Sequence, residues 1–180
     1  MKKMTTKKIA LCGLFAALTA VCAQISIPIG VVPINMAHVS VFMAAGILGS
    51  RYGALSQIVY LCLGAMGLPV FSGFTGGINR LAGPTGGYIV GYIVTAFVVG
   101  LLFEHFGRKK LWVLIVSMYI GWVAEYVIGT AWFCFVTGTG VFAALSACMF
   151  PFLPGDLAKT LVCALLIQKL YPPVMKLLKE

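Results

Sequence analysis

The sequence predicts an all-α integral membrane protein: six transmembrane helices, both termini cytoplasmic, and an ordered glycine-rich extracellular loop between helices 3 and 4. Three observations predict it. Hydrophobic residues make up 61% of the 180 positions and charged residues 9%, against about 45–50% and about 25% in soluble domains. The mean hydropathy is +1.05. The basic residues fall into clusters separated by long uncharged runs. A chain of this length holds one membrane domain over 1–180. So few charges cannot cover a soluble fold, which excludes soluble enzymes, disordered chains and peripheral membrane proteins.

The spans follow from apolar runs and their breakers. The first covers 9–27 and ends at Pro28, Gly30 and Pro33. Its basic start mimics a signal peptide, but the run is long enough to span, and we read it as a retained helix. The second covers 36–50 and ends at Gly49-Ser50-Arg51. The third covers 53–69 and ends at Leu68-Pro69. The remaining three cover 86–103, 111–133 and 154–171. Each is near the roughly 20 residues a bilayer helix needs, although the second and third are short.

Charge orients them. With the N-terminus inside, Lys2, Lys3, Lys7, Lys8, Arg51, Arg108, Lys109, Lys110, Lys169, Lys176 and Lys179 all fall on the cytoplasmic side. Cytoplasmic loops collect Lys and Arg, so an odd number of spans is disfavoured. The net charge of +9 therefore reports topology and not nucleic-acid binding. Arg80 and Lys159 are the two basic residues left over.

Nine of the 21 glycines lie between Gly64 and Gly91. The stretch FSGFTGGINRLAGPTGGY, 71–88, is too long and glycine-rich for a plain hairpin. Glycine allows positive φ and close backbone approach, so an ordered loop is expected.

The residues that could carry chemistry are few. Pro154 and Gly155 suit a helix start, which places Asp156 in the first turn. Asp156 and Lys159 then share one helix face, and ionisable residues inside membrane helices usually face a functional cavity. Glu125 sits mid-span beside Trp122 and Tyr126, where lining a polar pocket and specifying helix packing are both open. His38, near Asn35, reads as packing. Asn79 offers a donor and an acceptor from the loop. The six cysteines form no CxxC or Cys/His cluster, so no metal site is expected. Cys134 and Cys148 lie where they could approach each other outside the membrane. Small residues at four-residue spacing on the first span, Gly13 with Ala17 and Ala16 with Ala20, let another helix approach. No P-loop, GxSxG or HExxH motif occurs. With four acidic residues and two histidines, binding or transport is favoured over an enzyme.

The stretches AQISIPIG, GLPVFSGFTGG, GPTGGY and FLPGDLAK together resemble the BioY family, the biotin-specific substrate-binding (S) components of energy-coupling factor (ECF) transporters. The similarity runs in order from Leu14 to about Leu170. The resemblance implies a multi-pass protein of the prokaryotic cytoplasmic membrane that takes up biotin as its transported ligand, with no cofactor. It implies that Asp156, Lys159, Asn79 and Tyr88 contact biotin, with Gly73 offering backbone. It also implies that Ala16 and Ala20 dock a transmembrane coupling subunit, with Gly13 and Ala17 as a rival register. Two ATP-hydrolysing subunits would supply the energy. Arg80 maps onto no position of the family pattern.

Overall fold

The computed structural model describes residues 6–27 and 34–179. Lys2, Lys3, Pro28, Gly30, Pro33 and Glu180 lie outside the described residues. The chain is built from α1 (Thr6–Gln24), β1 (Ser26–Ile27), β2 (Ile34–Asn35), α2 (Ala37–Ala65), α3 (Ile78–Ala82), α4 (Gly86–Phe106), α5 (Leu111–Thr137), α6 (Val141–Cys148) and α7 (Leu153–Lys179). Among the described residues four helices are long and apolar enough to cross a membrane: α1, α4, α5 and most of α7. Large apolar side chains face outward along them, Leu14, Val21, Val123, Val127 and Leu161 among them. In water such a belt would be unstable. Against lipid tails it is the expected surface, and helices satisfy their own backbone hydrogen bonds there. This is a membrane protein.

The expected second and third spans are the two arms of α2. Gly49 adopts φ 82°, a conformation glycine reaches without steric cost, and the helix breaks there. A Cβ on Gly53 would lie 3.1 Å from the Ala45 Cα. Residues eight apart on a straight helix are about 12 Å apart, so the chain folds back and the arms pack on each other. The arms, 37–48 and 50–65, are about 18 and 24 Å long, shorter than the roughly 30 Å hydrocarbon core.

Several boundaries differ from expectation: α1 ends at Gln24 and not 27, α2 at Ala65 and not 69, and α4 runs to Phe106 and not 103. α5 continues past 133 to Thr137, where Gly138 caps it in the left-handed conformation (φ 69°). α7 runs through Pro172 and Pro173 instead of stopping at 171. Both prolines are exposed, so the backbone carbonyls they leave without partners sit near solvent. The short helix α6, with Ala144 and Cys148 buried, lies between the expected fifth and sixth spans, where no element was expected. All six cysteines are free, Cys134 half-buried and Cys148 buried.

α2 packs against α1, α4 and α7, and α4 packs against α5. Two apolar clusters result. One joins Phe42, Val99, Phe103, Leu114, Met118 and Trp122. The other joins Ala16, Val41, Tyr60, Phe71, Tyr92 and Ala96. Residues of both clusters border one cavity.

The glycine-rich segment carries its own backbone hydrogen bonds. Phe71 and Thr75 pair through two backbone hydrogen bonds of 2.9 and 3.2 Å, and the Gly77 amide donates to the Gly64 carbonyl at 2.7 Å. The Phe71 ring lies over Gly64, where any Cβ would overlap it, and packs edge-on against Tyr60 at 5.6 Å. Glycine at 64 is thus required by close approach, not by backbone conformation.

Candidate functional site

The cavity contains about 650 Å³ of atom-free space, its mouth included. Its walls are aromatic: Tyr60, Phe71, Tyr88, Tyr92, Trp122, Tyr126 and Phe152. Two of its polar groups are ion pairs: Asp156 with Lys159, and Glu125 with His38.

The first group is at the start of α7. Asp156 sits one turn into the helix and is 3% exposed. Its Oδ1 accepts from the Lys159 ammonium at 3.2 Å, and its Oδ2 accepts from the Tyr126 hydroxyl. Lys159 is also buried and lies 5.8 Å from the Trp122 ring centre, near enough for a cation–π attraction. The Trp122 indole N–H donates to Thr160 Oγ1 at 3.1 Å, which fixes the ring beneath the pair. A buried charge without a partner would cost several kcal/mol (about 3–5). Here each charge has an opposite neighbour, and the pair retains unused hydrogen-bonding capacity: an ammonium carries three donors and a carboxylate about four acceptor sites.

The second group joins α2, α4 and α5. Glu125 is 2% exposed. Its Oε1 lies 2.6 Å from His38 Nε2, and its Oε2 accepts from Thr95 Oγ1 at 3.1 Å. The His38 ring packs on Trp122 at 4.2 Å and edge-on against Tyr92 at 4.9 Å. Tyr92 in turn bonds the Asn35 side chain. Gly91 permits this arrangement, since a Cβ there would meet Glu125 Cγ at 2.8 Å.

Of the residues expected at the site, the fold brings Asp156, Lys159 and Tyr88 to the cavity wall. The Tyr88 hydroxyl bonds Thr130 Oγ1 at 3.2 Å. Asn79 and Gly73 do not line the cavity: both are exposed on the loop above it, Gly73 at φ 74°. Arg80, next to Asn79, does line it. Among the described residues it has no carboxylate within ion-pair distance.

A sequence model of the BioY family matches residues 1–176. The chain belongs to the BioY family. A relative named "Biotin transporter BioY" from Thermotoga maritima is 43% identical over 158 residues, covering 88% of this chain and 92% of that protein. A "Probable biotin transporter BioY" from Pyrococcus horikoshii is 38% identical over 167 residues, covering 93% and 98%. Among solved structures, the S-component for biotin from an ECF-type ABC transporter superposes with a TM-score of 0.85 at 27% identity, covering 93% of this chain and 94% of that one. The resemblance drawn from four short stretches thus holds over nearly the whole BioY chain. The named relatives are transporters, not enzymes.

The BioY fold also separates the two small-residue registers of α1. Ala16 is 1% exposed and belongs to the apolar cluster with Val41 and Tyr60, and Ala20 packs against the same cluster. Gly13 and Ala17 are exposed, and nothing lies within 4 Å of a Cβ placed on Gly13. The expected pair faces inward, and the rival pair faces out. His38 is the other revision: it is the half-buried partner of Glu125 in a cavity wall, not simple packing.

Proposed function

We propose that this chain binds biotin with high affinity and mediates its uptake across the cytoplasmic membrane as the S component of an ECF-type transporter. The observation that carries the reading is the buried Asp156–Lys159 pair in an aromatic-walled cavity, in a chain whose relatives are named biotin transporters. Biotin's ureido ring has two N–H donors and one carbonyl acceptor. A carboxylate takes the first and an ammonium serves the second. The sulfur ring and the valeryl chain suit Trp122, Tyr88 and Phe71.

Arg80 supplies the third contact. Asp156 is matched by Lys159 and Glu125 faces His38, so Arg80 is the cation with charge to spare for the valerate carboxylate. Arg80→Gln is expected to weaken biotin about tenfold while changing the binding of biotin methyl ester less than twofold. Equal losses for acid and ester would remove this assignment. Asn79 and Gly73 sit at the mouth and are read as meeting the ligand when the loop closes over it.

Topology follows the charges. α1, the two arms of α2, α4, α5 and α7 make six spans, with both termini cytoplasmic and the glycine-rich loop outside. The coupling subunit docks on α1, and its small-residue seat is Gly13 and Ala17 because Ala16 is already covered. Two ATP-hydrolysing subunits complete the transporter. The direct test is equilibrium binding of labelled biotin to the purified chain, with dethiobiotin, thiamine and riboflavin as competitors. Biotin is expected to bind and dethiobiotin to compete. No binding, or equal competition by riboflavin, would overturn the reading.

A further inference from the structure

We propose that Gln24 is a latch that holds the cavity-lining part of the glycine-rich loop in place and sets how fast ligand leaves. The latch itself is independent of ligand identity, but its effect on release rests on the biotin reading above.

The geometry is specific. Gln24 is the last residue of α1, and its amide spends every hydrogen-bonding group on fixing the loop to that helix. Nε2 donates to the carbonyls of Val70 at 3.1 Å and Phe71 at 3.2 Å, and it also lies 3.1 Å from the carbonyl of Ala20, one turn back in α1. Oε1 accepts from the Phe74 amide at 2.8 Å. The side chain therefore grips a five-residue turn, 70–74, from both ends. Between those ends are Phe71 and Ser72, which line the cavity.

The turn needs a clamp. Among the described residues Phe74 is the one non-glycine residue at positive φ, at 55°. Side-chain-bearing residues seldom adopt that conformation unless their surroundings impose it. Here the Phe71–Thr75 backbone pair closes the turn from within, and the bond from the Phe74 amide to Oε1 fastens its outer side to α1. The Phe74 ring itself is 72% exposed and adds no packing. Phe71, by contrast, is buried over Gly64 and against Tyr60, whose hydroxyl shares the Val70 carbonyl at 3.3 Å. Releasing Gln24 leaves that carbonyl one donor and leaves Phe74 without its acceptor, so the turn swings while the rest of the fold stays packed. Gln24 is thus a positioning residue. It also ties the loop to α1, so that movement of the outer end of α1 moves the cavity wall.

The test compares Gln24→Ala, Gln24→Glu and Thr19→Ala in the purified full chain. Gln24→Glu keeps an acceptor for Phe74 but turns a carboxylate toward two carbonyls. Thr19→Ala removes a buried hydrogen bond, to Ser40 at 2.9 Å, from the same helix without touching the loop. Biotin dissociation, followed by chase with unlabelled biotin, is expected to accelerate at least tenfold in both Gln24 variants and less than twofold in Thr19→Ala. Amide hydrogen exchange at Phe71, Phe74 and Thr75, read without ligand, is expected to rise in the Gln24 variants alone. Unchanged exchange at those amides would overturn the latch whatever the ligand is. So would equal acceleration of release by Thr19→Ala. Failure of the unaltered chain to bind biotin would instead overturn the functional reading and leave the exchange result to decide the latch.

Discussion

Asp156→Asn is expected to weaken biotin binding at least tenfold, and Asp156→Ala by about a hundredfold, or about 1.4 and 2.7 kcal/mol. The carboxylate has two tasks. It neutralises Lys159 at 3.2 Å, and in the proposed function it accepts a ureido N–H. The Asn amide keeps one acceptor oxygen but presents N–H groups where the carboxylate presented lone pairs. It also leaves the Lys159 ammonium, only 8% exposed, without its counter-charge. Removing one member of a buried pair costs about 3–5 kcal/mol, so part of the effect will be on stability. The double variant Asp156→Asn with Lys159→Met separates the two. It removes the orphaned charge and is expected to restore most of the thermal stability lost by Asp156→Asn, while binding stays at least tenfold weaker. Isothermal titration beside a melting curve reads both. Normal biotin affinity in Asp156→Asn would remove Asp156 from the ligand contacts.

What the sequence reveals about this site depends on contrast. Asp156 and Lys159 are legible because charges inside an apolar run are conspicuous and their three-residue spacing fixes a shared face. The hairpin in α2 is legible as a break at Gly49-Ser50-Arg51, though not that its arms form one folded-back element. His38 and Glu125 are 87 residues apart. No spacing rule joins them, and only the packing of α2 on α4 and of α4 on α5 brings them together. Tyr126 and Trp122 are obscure for the opposite reason: in a helix as apolar as α5, an aromatic facing a cavity looks like one facing lipid. The same uniformity hides the exposed face of α1. A helix that is hydrophobic all round has no moment to say which side is inward, so the preference for Ala16 and Ala20 over Gly13 and Ala17 comes from the family resemblance alone, and the fold buries Ala16. Gln24 gave no signal either. A single amide acquires meaning only from the carbonyls it reaches, and those lie 46 and 47 residues away.

Gly100→Val is expected to be the most destabilising single substitution tested outside the cavity. Gly100 is on the face of α4 that meets the turn of α2. A Cβ there would lie 2.5 Å from the Ser50 nitrogen, 2.6 Å from its Cα and 2.7 Å from the Gly49 carbonyl carbon. All three are backbone atoms, which cannot rotate aside as a side chain can, so the helices must separate. Separation breaks more than packing. Glu104, one turn further along α4, accepts from the Ser50 amide at 2.9 Å and from the Ser50 hydroxyl at 2.8 Å, and it thereby caps the second arm of α2. Overpacking costs about 1–3 kcal/mol and a hydrogen bond to a charged acceptor about 1.5–3 kcal/mol. A loss of about 3–5 kcal/mol is expected, lowering the melting temperature by roughly 10 °C for a chain of this size. Gly13→Ala is the matched control, because its new methyl group meets open space and replacing a mid-helix glycine by alanine stabilises by about 0.5–1 kcal/mol. Thermal unfolding of the detergent-solubilised variants decides it. A Gly100→Val melting point equal to that of Gly13→Ala would mean that α4 does not grip the hairpin turn as closely as the backbone distances require.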